Sequence, residues 1–232
     1  GLPLDVAALA SAALTLELPA DGPQVLIMHT HATEAYTPDG EDIYTPSDSN
    51  SRTLDQNYNV VRVGEEMAAV FSEMGLKVLH DKTLYDYPQY NGAYTRSREA
   101  VAGYLKEYPT IRVVLDVHRD ALIAGDGTVY KTMTTVNGAK TAQVMLVVGT
   151  GEAHPNWAEN LTLACKVQKS LDTLYPTLAR PMALRAARYN QQLSTGSLLV
   201  EVGCHGNTLQ EALSAARMFA RALGAVLLEY KG

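Results

Sequence analysis

Residues 25–36 read VLIMHTHATEAY, and the change at position 29 from a short apolar run to a polar, histidine-bearing one sets the reading of the whole chain. Val25 to Met28 is too short for a helix and follows a turn-forming stretch from Pro19 to Pro23, so it predicts a buried strand. Downstream, Thr37 to Asn57 is rich in Pro, Asp, Ser, Thr and Asn and predicts a long surface loop. Val60, Val61, Val63, Met67, Val70, Phe71 and Met74 then recur at helical spacing, with Gly75 placed to stop the helix. Leu76 to His80 reads as a second strand. A tyrosine-rich segment, Tyr85 to Tyr94, leads into the helical pattern Ala100, Val101, Tyr104 and Leu105, which ends before Pro109; Ile111 to Val117 is a third, β-branched strand.

Strands alternating with helices predict a parallel sheet with helices on both faces, in one α/β domain. Thr128 to Val136 and Gln143 to Gly149 read as two more strands, a hairpin turning at Asn137-Gly138. Trp157 to Tyr175 carries a helical pattern, Ser197 to Val202 a strand pattern, and Thr208 to Tyr230 a long Ala-rich helical one. Upstream, Leu2 to Leu18 is apolar without a clear period and reads as an arm, helix or strand, docked at the edge.

The totals narrow the function. With 232 residues, 47% of them hydrophobic, the chain is long enough to bury a core in one domain. A net charge of -6, without a local Lys/Arg cluster, argues against a nucleic-acid or anionic-lipid partner. No apolar run has the length of a membrane span. Cys165 and Cys204 are not spaced as a metal pair and allow at most one disulfide.

In open α/β sheets ligands bind beyond the carboxyl ends of the strands. Three strands end in polar groups there: His29-Thr30-His31-Ala32-Thr33-Glu34, Asp116-Val117-His118-Arg119-Asp120, and Glu201-Val202-Gly203-Cys204-His205-Gly206-Asn207. A hydrolytic zinc site needs three protein ligands and an open position for water. His31 and Glu34, three residues apart, have the reach for one ion, and His118 completes a set from another strand. Glu201 is then a further carboxylate on the same edge, suited to general-base work. The plain alternatives are a hydrogen-bonded structural histidine, a Glu34 that favours a helix dipole, and Asp116 and Asp120 that only orient His118. Arg119 is a candidate for a substrate carboxylate or a partner of the flanking aspartates, and Asn207 for a substrate contact or a chain turn.

These motifs, VLIMHTHATEAY (25–36), NVVRVG (59–64), YTRSR (94–98), LDVHRD (115–120) and EVGCHGN (201–207), together resemble the stage II sporulation protein P family of cell-wall hydrolases. The resemblance implies a fold similar to the zinc-dependent muramoyl amidases and, more distantly, the zinc carboxypeptidases. It implies an N-terminal arm over 1–24 and a catalytic amidase domain over 25–232. The implied activity is hydrolysis of the amide between N-acetylmuramic acid and L-alanine in peptidoglycan, with an endopeptidase activity on cross-links also credited to the family. The cofactor implied is Zn2+, held by His31, Glu34 and His118 with Glu201 as the catalytic carboxylate and Arg119 and Asn207 toward substrate. His29 is an alternative to His31, and Asp55, ahead of Asn59 where muramoyl amidases carry a Glu, is an alternative to Glu34. The implied setting is extracytoplasmic, at the sporulation septum and engulfing membrane, with an anchor upstream of Gly1 and stage II sporulation proteins D and M as partners. Two rival functions fit the same residues: a zinc metallopeptidase acting on ordinary peptides, and a catalytically silent peptidoglycan-binding module.

Overall fold

The chain, described over residues 4–41 and 51–231 of a computed structural model, is built on a six-stranded sheet of order β2-β1-β3-β8-β6-β7. Its strands are β1 (Val25–Met28), β2 (Val78–His80), β3 (Val113–Asp120), β6 (Val144–Gly149), β7 (Ala183–Arg185) and β8 (Ser197–Cys204). β2, β1, β3 and β8 run parallel; β6 is antiparallel to β8, and β7 follows β6 in parallel. β1 is buried along its whole length and β3 along all but its last residue, as expected of parallel strands covered on both faces.

Helices cover both sides. One face packs Val25, Ile27, Leu115, Val117, Leu198 and Val200 under α2 (Val60–Glu73), α4 (Trp157–Leu174) and α5 (Leu209–Leu228). The other places Leu26, Met28 and Val114 under Val101 of α3 (Ala93–Glu107). α2 starts on Asn59, whose side chain accepts from Val61 N–H at 3.0 Å, and stops before Gly75 at φ 81°. α5 opens with a capping box in which Thr208 and Glu211 satisfy each other's backbone N–H groups. Upstream, α1 (Val6–Ser11) resolves the arm as a short helix, and buried Leu18 bridges Lys231 beside the last helix.

The expected elements recur with two differences. Asn137 and Gly138 do form a two-residue turn, both at positive φ, but the strands it joins are β4 (Met133–Val136) and β5 (Ala139–Ala142). The expected second strand, 143–149, instead enters the central sheet as β6. The bend falls at Gln143, with no Gly or Pro to mark it, so the sequence reads on without a break. β7 was not expected at all, being three residues long. Of the long loop over 37–57, residues 42–50 lie outside the described residues; 51–53 double back along 33–35 through Ala35 N–H to Ser51 O (2.9 Å) and Thr53 N–H to Thr33 O (2.8 Å). Both cysteines are buried and free, so no disulfide joins them.

Two substitutions test the packing. A methyl at Gly64 in α2 would meet the His29 ring at 2.6 Å and His80 Nε2 at 2.8 Å. Gly64→Ala is therefore expected to destabilise by about 1–3 kcal/mol through overpacking, opposite in sign to the ~1 kcal/mol gain of an ordinary helical Gly→Ala change; denaturant unfolding reads the sign. Thr208→Ala is expected to cost about 0.5–2 kcal/mol by removing the α5 cap, seen as a lower unfolding midpoint.

Candidate active site

The carboxyl ends of β1, β3 and β8 lie side by side, and register decides what meets there. Met28 aligns with Asp116, and His118 with Glu201, so Asp116, His118 and Glu201 share one face of the sheet. After Met28 the chain turns, Glu34 N–H donating to His31 O at 3.1 Å, and this turn carries His31 and Glu34 over the end of β3. Residues two apart on a continuing strand would share a face; because β1 has already ended, His29 and His31 part company. His29 faces α2, donating from Nδ1 to the Val117 carbonyl (3.0 Å) and accepting at Nε2 from His80 Nε2 (2.9 Å). Both of its nitrogens are therefore used away from Glu34.

His118 is the hub. Its Nδ1 stands 3.5 Å from Glu34 Oε2, and its Nε2 lies 2.9 Å from Asp116 Oδ1, close but without hydrogen-bond alignment. The ring centroid of His31 is 5.5 Å away, edge-on. Burial alone would lower the His118 pKa, but the charges of Asp116 and Glu34 outweigh it and raise it well above the ordinary value. Burial likewise pushes Glu34 upward, and His118 and Arg119 overcome it, pulling the carboxyl down to about 2. Glu201 has no such compensation: burial and the neighbouring carboxylates push it up to about 8 against the pull of His118. His31 Nδ1 and Glu201 Oε2 are buried without hydrogen-bond partners, each at a cost of about 1–3 kcal/mol.

Hydrogen bonds, an ion pair and ring stacking surround this centre. Asp116 accepts from Thr30 N–H (2.8 Å) and Thr30 Oγ1–H (2.7 Å). Tyr90, half exposed, stacks on His31 with centroids 4.5 Å apart. The Arg52 guanidinium lies 4.8 Å above the Tyr90 ring, pairs with Asp86 at 2.8 Å and reaches within 4.0 Å of Glu34. Tyr94 packs beside both rings, edge-on to His31 at 5.5 Å and nearly parallel to His118 at 6.5 Å. No spacing in the sequence marks Arg52 and Asp86, because they arrive from two separate loops.

The two candidate substrate contacts, Arg119 and Asn207, make hydrogen bonds within the fold. Arg119 is buried; its backbone N–H donates to Glu34 Oε2 at 3.1 Å, its Nε to Ala35 O at 2.6 Å and its Nη2 to Ser51 O. Its fork thus ties the 33–35 turn and the returning 51–53 segment to β3; Nη1 reaches the Asp120 backbone carbonyl at 3.4 Å, while the Asp120 carboxylate pairs with Arg180. Asn207 is fully buried, its Oδ1 accepting from Cys204 N–H (3.0 Å) and its Nδ2 donating to Thr132 O (3.0 Å) and Glu211 Oε2 (2.8 Å). Both amide hydrogens are used, so it turns the chain into α5 and has no donor left for a ligand. Asp55 is exposed and closes a turn onto Asn57 at 3.0 Å and 2.8 Å, whereas Glu34 meets His118.

Comparison with known proteins follows the same lines. Among solved structures, the CwlD amidase from Clostridioides difficile in complex with the GerS lipoprotein superposes with a TM-score of 0.54 at 13% identity, over 89% of this chain and 98% of that one. An N-acetylmuramoyl-L-alanine amidase from Clostridium difficile 630 gives 0.53 at 12% identity, over 90% and 97%. These likenesses concern the fold, the mostly parallel α/β architecture of the amidases. Stage II sporulation protein P of Bacillus subtilis (strain 168) is 28% identical over 203 residues, 83% of this chain and 48% of the relative, so the chain spans about half the length of that curated relative. The model of the family described as stage II sporulation protein P (SpoIIP) matches residues 7–224. The chain, matched by that model over nearly its whole length, belongs to the stage II sporulation protein P family.

Proposed function

We propose that this chain is a zinc-dependent peptidoglycan hydrolase, an N-acetylmuramoyl-L-alanine amidase, with His31, Glu34 and His118 holding the ion and Glu201 as the catalytic carboxylate. The observation that carries this reading is the 3.5 Å meeting of His118 Nδ1 with an ionised Glu34, beside the partnerless buried atoms of His31 and Glu201. Two donors on one tetrahedral zinc, each at about 2.0–2.1 Å, stand roughly 3.4 Å apart, so this pair has ligand spacing. Among the described residues no trio of His, Cys, Asp or Glu is already closed around one point; His31 is the donor that must turn in from its stack on Tyr90. Asp116, anchored by Thr30, lies 2.9 Å from the His118 Nε2 on the far side of the ring, the place from which a carboxylate orients a ligand imidazole.

What the ion supplies when bound is Lewis acidity toward a water and toward the scissile carbonyl. With the charge of the ion to offset the burial and carboxylates that push it up to about 8, Glu201 would be ionised, accept the proton of the attacking water and deliver it to the leaving nitrogen of L-alanine. His118 stays fixed between Asp116 and Glu34, and Arg119 holds the 33–35 turn in place. A groove of about 490 Å³ begins next to Glu34, lined by Ala35, Tyr36, Pro38, Thr53, Asp55 and Tyr58, and with Tyr90 it offers stacking surface for glycan. The catalytic unit in this reading is 25–232, with 1–24 as an arm across its edge. Family membership supports a role in septal wall degradation and engulfment outside the cytoplasm, with an upstream anchor and with sporulation proteins D and M as partners. It also admits an endopeptidase activity on cross-links. Among the described residues no helix is long and apolar enough to cross a membrane.

Elemental analysis and release of stem peptides from purified peptidoglycan test the reading together. About one zinc per chain, lost with stem release in His118→Ala, is the expected outcome, while Glu201→Ala should keep the ion and lose hydrolysis. Release of single terminal amino acids from ordinary peptides would turn the assignment to a metallopeptidase, and a protein that takes up no zinc would leave a binding module. Asn207→Ala is expected to lower stability by roughly 1–3 kcal/mol through the orphaned Cys204 N–H and the lost bonds to Thr132 O and Glu211; a raised KM with unchanged stability would instead give Asn207 a place at the substrate.

A further inference from the structure

Hydrolysis of an amide places negative charge on the carbonyl oxygen, and the site described so far is crowded with carboxylates. Donors are scarce. Thr30 and Thr33 hydroxyls donate to Asp116 and Asp86, and Tyr36 to the Val202 carbonyl. Arg119 and Asn207 are spent within the fold, and Arg52 is tied at Nη1 to Asp86.

Tyr94 differs from all of these. It occupies the first turn of α3, behind a helix start set by Gly92 at φ 84°. Its backbone carbonyl is held by Asn190 Nδ2 at 2.8 Å. Its ring stands edge-on to His31 at 5.5 Å, nearly parallel to His118 at 6.5 Å and against Tyr189 at 6.0 Å. The ring is thus the third corner of a triangle with two of the assigned ligands, which are themselves 5.5 Å apart, and it is carried by a rigid element, while its hydroxyl makes no hydrogen bond to any described residue. A tyrosine hydroxyl carries its proton at neutral pH and can donate it in one hydrogen bond.

We propose that Tyr94 is a catalytic residue of this site, its O–H donating a hydrogen bond to the scissile carbonyl oxygen as that oxygen becomes an anion. The assignment rests on the amidase reading above. In the balanced step, the water oxygen forms a bond to the carbonyl carbon, the C=O π pair moves onto oxygen, and Glu201 takes the water proton. On collapse the C=O reforms, the C–N bond breaks, and that proton goes to the amine of L-alanine. Tyr94 gives up no proton at any point; it is a fixed dipole aimed at developing charge, and such a donor is worth most in the transition state.

Tyr94→Phe removes the hydroxyl and leaves the ring contacts. Removal of one oxyanion donor lowers kcat by about 10²–10³-fold, so stem release should fall by that factor with KM, zinc content and unfolding midpoint unchanged. A tetrahedral phosphinate analogue of muramoyl-L-alanine should lose affinity by a like factor, while uncleaved muropeptide, titrated into Glu201→Ala with and without the Tyr94 change, should bind equally. Wild-type kcat and wild-type phosphinate affinity in Tyr94→Phe would overturn the assignment, as would loss of zinc, which would make Tyr94 a support for the histidines. If the wild-type protein releases no stems, the amidase reading falls by itself, and equal phosphinate affinity in the two proteins then overturns the Tyr94 assignment separately.

Discussion

Everything in the site depends on β3 lying between β1 and β8 in parallel register. That pairing sets Met28 beside Asp116 and His118 beside Glu201, and it brings the ends of three segments far apart in sequence to one edge. The apolar residues that make the pairing favourable alternate strictly across the sheet. Val113, Leu115 and Val117 go under α2 and α5, while Val114 goes under α3. Asp116 and His118 continue the α3 side beyond the reach of that helix's apolar contacts, so the sheet that buries the core also delivers two ionisable groups to its rim.

Around His118 the balance of charge is local and tight. A buried carboxylate is costly unless a partner compensates it, and here one imidazole serves two carboxylates, Asp116 and Glu34. Asp116 is further satisfied by Thr30 and Glu34 by the Arg119 N–H, which leaves Glu201 Oε2 as the carboxylate oxygen without a partner. Asp116 and Glu34 thus flank one ring from two sides, while Glu201 is buried beside them with burial and the neighbouring carboxylates pushing it upward.

The polar residues just outside this centre are framework. Arg119 spans the 33–35 turn and the 51–53 return, Asn207 closes the loop between β8 and α5, and Arg52 joins Asp86 to the Tyr90 ring. Each holds backbone that local propensity would leave loose. A guanidinium fork or an amide pair suits this use because several donors in fixed geometry can satisfy several carbonyls at once.

The sequence by itself determined the strand and helix order, the capped starts of α2 and α5, the turn at Asn137-Gly138 and the three polar strand ends, because short-range periodicity and turn chemistry carry those signals. It also brought forward His31, Glu34, His118 and Glu201, since each follows an apolar run directly. Only the tertiary structure decided that His29 turns toward His80, that Asp55 caps a loop, and that Arg119 and Asn207 are consumed by backbone. It alone decided that the antiparallel β6 follows β5 at an unmarked bend, and that Arg52, Asp86 and Tyr94 converge on one histidine pair. The physical reason is the same throughout: donors and acceptors choose partners by distance and angle in three dimensions, and a residue's neighbours along the chain say nothing about which carbonyl, carboxylate or ring will stand within 3 Å of it after folding.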